Sequence, residues 1–181
     1  MSAVAHRDDI SALVTAYCVA CDTRDRRRLA ELFAADARAT YDTADEFRGA
    51  EAIADWICAA TAHLAWQQHS AQVMDVHVAA NRADVVAYLH SHQVAADDTA
   101  HVTSMVSRYD LVLTRRETRW RIAELDLVVG ITEQRPAQLG VRAGQTISAS
   151  AATGDMGTAR RGTAYRGTAH RGTAHRGRET A

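Results

Sequence analysis

Apolar residues near the N-terminus recur at steps of three and four positions. That spacing puts them on one face of a helix, which we predict over about residues 8–21. The face comprises Ile10, Leu13, Val14, Tyr17, Cys18 and Cys21. Shorter patterns of the same kind predict a second helix at about residues 26–34 and a third at about residues 50–64. Between these two, residues 36–41 indicate a short strand and residues 42–48 a polar loop.

The character of the chain changes after Trp66. Four β-rich segments follow, separated by turn-like breaks, at residues 68–79, 83–95, 99–114 and 119–133. Three helices followed by such a meander predict an α+β fold, in which the helices cover one face of a curved, mainly antiparallel sheet. A sheet bent in this way encloses a cone-shaped cavity, and ligands favour concavities of that kind.

The chain divides near Pro136. We predict one domain over residues 1–136 and a separate tail over residues 137–181. From Gly157 the tail repeats five residues in the form R-G-T-A-x, without apolar periodicity. Such a composition cannot bury enough surface to offset chain entropy, so we predict that the tail is disordered. It is either a weak polyanion-binding arm or a repeat expansion with no selected role.

Charge and composition argue against several function classes. The predicted domain carries 14 Arg and 20 acidic residues, which is not the charge balance of a nucleic-acid-binding domain. No apolar run approaches the ~20 residues that span a membrane, and the first residues, MSAVAHRDD, lack the features of a secretion signal. The three cysteines, an odd number, indicate reduced thiols. We therefore expect a cytoplasmic protein without nucleic-acid or membrane partners.

Asp22 stands directly after the apolar face of the first predicted helix. An acid at the point where such a face meets the core is kept uncharged or is paired with a base. Alternatively, Asp22 ends or caps the helix in a Cys-Asp-Thr-Arg-Asp turn. The spacing alone leaves both interpretations open.

Seven histidines precede the tail. His69 begins the first long predicted strand, and His90 and His92 share a face of the second because successive side chains alternate. Two histidines on one face, together with an acid, could bind zinc. No complete ligand motif emerges, however, so we expect neither a metal nor a cofactor.

Tyr41 lies near the end of the first short strand. It is either a packing residue or a hydroxyl that polarises a carbonyl or holds a water. A carboxylate can orient an imidazole, and an imidazole moves protons near neutral pH. Asp22, Tyr41 and His69 therefore form a candidate acid–base set.

Five short motifs between residues 8 and 135 carry a resemblance to a known family. They are Cys21-Asp22-Thr23-Arg24-Asp25 followed by Leu29, Ala37-Arg38-Ala39-Thr40-Tyr41, Phe47-Arg48-Gly49, Gln68-His69 and Arg119-Trp120-Arg121-Ile122. With these motifs the chain resembles the SnoaL-like group, which includes scytalone dehydratase, among the nuclear-transport-factor-2-like α+β cone proteins. The tail lies outside the resemblance.

The resemblance implies roles for individual residues. Asp22 takes the place of the aspartate that pairs with the catalytic histidine, His69 that of the histidine, and Tyr41 that of a tyrosine which positions a water against the substrate carbonyl. The family's second tyrosine aligns with Cys21, which is a departure. Its second histidine falls near His90 and His92, of which we choose His92. The other expected pocket residues are Tyr17, Cys21, Trp56 and Tyr109.

The function implied is a cofactor-free lyase, cyclase or isomerase of the dehydratase type. Its substrate would be a hydrophobic polyketide- or steroid-like carbonyl compound. The alternative is a non-catalytic small-molecule-binding or association module of the same fold. A third possibility is the small subunit of an aromatic-ring dioxygenase, for which the sequence identifies no large partner. Cone domains of this family commonly associate through the open sheet face, so we expect a homodimer or homotrimer.

Overall fold

The computed structural model describes residues 3–43 and 45–140, which form three helices and six strands. The helices are α1 (Ala3–Thr23), α2 (Arg26–Leu32) and α3 (Ala50–Ala60). The strands are β1 (Phe33–Tyr41), β2 (Glu46–Arg48), β3 (Leu64–Ala79), β4 (Arg82–Ala95), β5 (His101–Arg116) and β6 (Arg119–Pro136).

The strands lie side by side in one curved, unclosed sheet in the order β2-β1-β6-β5-β4-β3. The long strands β3 to β6 form an antiparallel meander, and β2 runs antiparallel to β1. β1 runs parallel to β6, a pairing that the meander pattern alone does not predict. The predicted α+β class, with three helices and a mainly antiparallel sheet, is confirmed.

The core lies between the helices and the inner face of the sheet. Its largest fully buried side chains come from both layers and include Ile10, Phe33, Ile53, Leu113 and Ile122. Full burial of one such side chain contributes about 1.5–3 kcal/mol relative to its exposure. Burial alternates along β4, so that every second residue points away from the helices. Only residues of the inner face can therefore reach a cavity beneath the helices.

Several element boundaries differ from the predicted ones. α1 begins at Ala3 rather than near residue 8, and β1 begins at Phe33, directly after α2. α3 ends at Ala60 rather than near residue 64, and β3 begins at Leu64 rather than residue 68. The Thr61 hydroxyl donates to the Ile57 carbonyl at 2.9 Å and the Thr61 amide to the same oxygen at 3.2 Å, so the helix closes at this residue.

Gly49 determines how α3 leaves the sheet. Its φ is +91°, a conformation that residues with a side chain rarely adopt. In this conformation its amide donates to the carbonyl of Ala37 in β1 at 2.8 Å. The start of α3 is thereby joined to β1, which fixes the side of the helix that faces the sheet.

The predicted disordered tail begins at residue 137, and everything beyond residue 140 lies outside the described residues. Within the described ranges, no helix is long and apolar enough to cross a membrane.

Candidate active site

Asp22 and His69 form a close pair between the end of α1 and the beginning of β3. The Asp22 Oδ1 atom lies 2.6 Å from His69 Nδ1, and Asp22 Oδ2 accepts the backbone N–H of His69 at 3.1 Å. Only 17% of the Asp22 side chain and 12% of the His69 side chain are exposed. A carboxylate bound in this way fixes both the orientation and the tautomer of the imidazole. An ionised carboxylate can only accept hydrogen bonds, so this contact favours the tautomer with the proton on Nδ1 and leaves Nε2 as the basic nitrogen.

His69 lines a cavity of about 340 Å³ beneath α1 and α3. All four residues predicted for the pocket line it as well, namely Tyr17, Cys21, Trp56 and Tyr109, together with the candidate catalytic residue Tyr41. The carboxylate of Asp22 stands behind His69 rather than among the lining residues. The structure therefore brings the predicted acid–base set and the predicted pocket together at one place.

Three tyrosine hydroxyls cluster in the inner part of the cavity. The Tyr17 and Tyr41 oxygens lie 3.2 Å apart, and the Tyr17 ring meets the Tyr109 ring edge-on at 5.9 Å. Burial raises the pKa of all three hydroxyls well above the ordinary value. Each hydroxyl is thus protonated at neutral pH and can donate a hydrogen bond to a ligand oxygen.

An aromatic wall borders the cavity. Trp56 of α3 stacks on Tyr41 with a centroid distance of 4.5 Å and an interplanar angle of 23°. Phe47 of β2 packs against both rings, with its centroid 4.6 Å from that of Trp56 and 6.4 Å from that of Tyr41. These rings hold Tyr41 in place and offer a flat apolar surface to a ligand.

The two thiols of α1, Cys18 and Cys21, are unreactive because they are buried. Burial raises the pKa of Cys18 from 9.0 to about 12 and that of Cys21 well above 9.0. A thiolate is the nucleophilic form of cysteine, so neither residue is a nucleophile at neutral pH. Cys21 contributes an apolar lining surface, where the resemblance placed a tyrosine.

His92 does not line the cavity, so its predicted place in the site is wrong. The residue opposite His69 in the β3–β4 ladder is Ser91, and His92 lies on the outer face, where its Nδ1 is 2.9 Å from the Ser104 hydroxyl. His90 shares that outer face. The register shift between Val73 and Asp75 lies in β3, where it exchanges the two faces and turns His69 inward, whereas β4 alternates regularly and keeps His92 on the outer face.

Gln93 of β4 and Met105 of β5 are among the cavity residues that were not predicted from the sequence. Gln93 opposes Gln67 in the β3–β4 ladder, and Met105 opposes Ser91 in the β4–β5 ladder. The signal that would have found them is the true register of β4, which the pattern of polar residues does not reveal.

A larger hollow, with a volume of about 730 Å³, lies on the outer face of the sheet. Its charged side chains include exposed ion pairs, such as Arg38 with Glu124 at 2.8 Å. Exposed pairs of this kind carry little energy and are solvated. Among the described residues, no group of three or more His, Cys, Asp and Glu side chains could hold a metal ion.

Comparisons with known proteins agree with the observed architecture. A candidate scytalone dehydratase from Novosphingobium aromaticivorans aligns with a TM-score of 0.66 at 16% identity, over 80% of this chain and 94% of that one. The hexachlorocyclohexane dehydrochlorinase LinA-type3 from Novosphingobium barchaimii aligns with a TM-score of 0.65 at 18% identity, over 76% and 93%. A Mycobacterium tuberculosis protein of unknown function aligns with a TM-score of 0.59 at 20% identity, over 81% and 86%.

At such identities the structural likeness shows the fold alone, and the expected cone-shaped α+β fold is confirmed. A search among curated proteins gives no match. The model of the SnoaL-like domain family matches residues 2–126.

Proposed function

We propose that this chain, which belongs to the SnoaL-like domain family, is a cofactor-free acid–base enzyme of the lyase, cyclase or isomerase type. Its substrate would be a hydrophobic carbonyl compound of polyketide- or steroid-like character. The observation that carries the proposal is the 2.6 Å contact between Asp22 and His69 at the wall of an apolar cavity. A binding module has no need of a buried carboxylate–imidazole pair beside its ligand.

His69 would act as the general base. The Nδ1–H group of His69 donates a hydrogen bond to the Asp22 carboxylate. Nε2 is then free to remove a proton from the carbon next to the substrate carbonyl. The C–H electron pair moves into the enolate, and the adjacent Asp22 carboxylate stabilises the imidazolium that forms. A positioned base of this type contributes about 10²–10⁴-fold to the rate.

Tyr41 would stabilise the enolate oxygen. Its hydroxyl is a neutral donor because burial raises its pKa, and Tyr17, 3.2 Å away, can support it as a second hydroxyl. In the second half of a dehydration, the imidazolium returns its proton to the departing hydroxyl. The C–O bond breaks, the enolate electrons form the new double bond, and water leaves. In an isomerisation the same proton returns to a different carbon.

The lining of the cavity supports an uncharged substrate with a flat apolar part. Among the described residues that line it there is neither arginine nor lysine, whereas Trp56 and Tyr41 present stacked rings. An anionic substrate would be left without a counter-charge there. A volume of about 340 Å³ lies in the range of small-molecule pockets.

A substrate screen with a matched pair of variants tests the proposal. Bicyclic β-hydroxy ketones and their unsaturated products would be incubated with the wild type, His69→Ala and His77→Ala, and followed by mass spectrometry. His77 is an exposed histidine of the same strand that lies on the outer face of the sheet, away from the cavity. The proposal expects turnover that His69→Ala lowers by about 100-fold or more and His77→Ala leaves nearly unchanged. Tight binding without turnover across the panel would instead identify a binding module.

We also propose that the protein is a homodimer or homotrimer joined through the outer face of the sheet. Four large apolar side chains of β4 to β6 are exposed there: Tyr88 (48%), Val106 (39%), Val128 (45%) and Ile131 (54%). Tyr88 and Val128 both neighbour Arg108, and Val106 neighbours Ile131, so they form one patch. Contiguous exposed apolar patches typically mark association surfaces.

A further inference from the structure

Asp22 lies between Cys21 and Arg24, and both of these residues form hydrogen bonds to β3 or to the segment before it. On its N-terminal side, the carbonyl of Cys21 accepts a hydrogen bond from Gln67 Nε2 at 2.7 Å. Gln67 precedes His69 by two positions, so both side chains stand on the inner face of β3. The end of α1 is thus joined to the strand that carries the histidine, at a point directly beside the pair.

Arg24 makes the second connection, on the C-terminal side of Asp22. Its Nε donates to the Thr61 carbonyl at 3.0 Å, and its Nη2 donates to the Leu64 carbonyl at 2.7 Å. The residue has a positive φ of 50°, which turns the chain out of α1 and aims the side chain at the end of α3. A cation is favourable at the C-terminal end of a helix, because the last carbonyls have no hydrogen-bond partner within the helix.

The hydrogen bonding of Gln67 indicates that its side-chain NH2 group, and not its carbonyl oxygen, is what this position requires. Only 3% of the residue is exposed, and its Oε1 atom is buried without a hydrogen-bond partner. An apolar side chain of similar length would avoid that unpaired oxygen. The bond to Cys21 is what a glutamine supplies there and an apolar side chain cannot.

We propose that Gln67 and Arg24 are positioning residues that hold Asp22 against His69. The inference rests on the proposed function, because it assigns these residues a task in the same site. Three connections join the last turn of α1 and the residue after it to β3 and the segment before β3: Gln67 to Cys21, Arg24 to Thr61 and Leu64, and Asp22 to the His69 backbone amide. Without the first two, the end of α1 is free to shift relative to the strand. The contact between the carboxylate and Nδ1 then loosens.

The test reads the imidazole directly, by ¹⁵N and ¹H NMR of the His69 ring in the full-length protein. Gln67→Met removes the donor at nearly constant length, and Arg24→Met removes the guanidinium. The matched control is Arg26→Met, since Arg26 lies two positions away and forms exposed ion pairs with Glu51 and Asp55 of α3. The same chemical change there leaves the Asp22 connections untouched.

The proposal expects loss of the downfield Nδ1 proton signal, or a change to the other tautomer, in Gln67→Met and Arg24→Met. Arg26→Met keeps the wild-type signal. If a substrate is available, kcat falls by about 10- to 100-fold with little change in KM, because a small misplacement of a catalytic group has that effect. Wild-type ring signals in both variants would overturn the proposal.

A further variant keeps the test decisive if Gln67→Met fails to fold. Arg24→Lys keeps the charge and a single donor, and should give a signal between those of the wild type and Arg24→Met. Equal signals in the wild type and Arg24→Met would contradict the proposal. A wild type that has the Nδ1 signal but turns over no substrate would refute the proposed function and leave the positioning role standing.

Discussion

Asp22 and His69 are 47 positions apart in the sequence, yet the carboxylate of one binds both the ring and the backbone amide of the other. The two-point contact fixes the imidazole more firmly than a single bond would. It also ties the geometry of the site to the packing of α1 on β3.

Tyr41→Phe should lower kcat by about 100-fold, as does loss of one hydrogen-bond donor to a developing oxyanion. The ring and its stacking on Trp56 at 4.5 Å are retained, so the fold and the pocket shape should persist. Tyr88→Phe is the control, because Tyr88 is exposed on the outer face. Equal activity of Tyr41→Phe and the wild type would exclude the hydroxyl from the reaction.

His92→Ala should leave kcat and KM nearly unchanged, whereas Gln93→Leu should change KM. The two residues are neighbours in β4, but Gln93 lines the cavity and His92 bonds Ser104 on the outer face. Steady-state kinetics of the two variants distinguish the faces of the strand. A large loss of activity in His92→Ala would contradict the observed register.

Alkaline pH should destabilise the protein through its buried thiol. The folded-state pKa of Cys18 is raised from 9.0 to about 12, so the unfolded chain loses this proton at lower pH than the folded one. The contribution of the Cys18 thiol to the free energy of unfolding is therefore fully present below about pH 9 and is lost between about pH 9 and 12. It amounts to about 4 kcal/mol at most. Cys21 and the buried tyrosines act in the same direction.

Thermal unfolding as a function of pH measures this effect. Tm should decline above about pH 9 in the wild type, and less steeply in Cys18→Ala, where one of the buried acids is missing. Identical slopes for the two proteins would mean that the Cys18 thiol ionises as easily when folded as when unfolded.

Val128→Lys should dissociate the proposed oligomer. The substitution places a charge at the centre of the exposed patch, beside Arg108. Val4→Lys makes the same change at an exposed valine of α1, 69% accessible, and should leave the assembly intact. Light scattering coupled to size-exclusion chromatography gives the masses. A monomeric wild type at micromolar concentration would show that the patch is not a self-association surface.

The sequence offered Asp22, Tyr41 and His69 as one candidate acid–base set; in the structure Asp22 contacts His69, and His69 and Tyr41 line the same cavity. An apolar face followed directly by an acid predicts where the carboxylate leaves the helix, and the resemblance supplied its partner. Tyr17 was predicted only as a pocket residue. One helix turn before Cys21, it brings a second hydroxyl to within 3.2 Å of Tyr41 although Cys21 carries none.

The place of His92 relative to His69 could not be predicted, because a single irregularity in β3 decides it. Ala79 pairs with Arg82 across a two-residue turn, and a regular hairpin continued from there would set His92 opposite His69. The register shift between Val73 and Asp75 leaves Met74 without a partner, and Ser91 takes that position instead. The parallel pairing of β1 with β6 escaped prediction for a related reason, since it joins strands that are distant in the sequence.

The most direct test of the account is the tautomer of His69 in the wild type and in Asp22→Asn, read from the ¹⁵N shifts of both ring nitrogens. The neutral ring should carry its proton on Nδ1 in the wild type, with a downfield proton signal, and should lose that preference in Asp22→Asn. A matching loss of turnover would link the pair to the chemistry. A wild-type ring protonated on Nε2, or one unaffected by Asp22→Asn, would contradict the central claim that this carboxylate prepares His69 as a base.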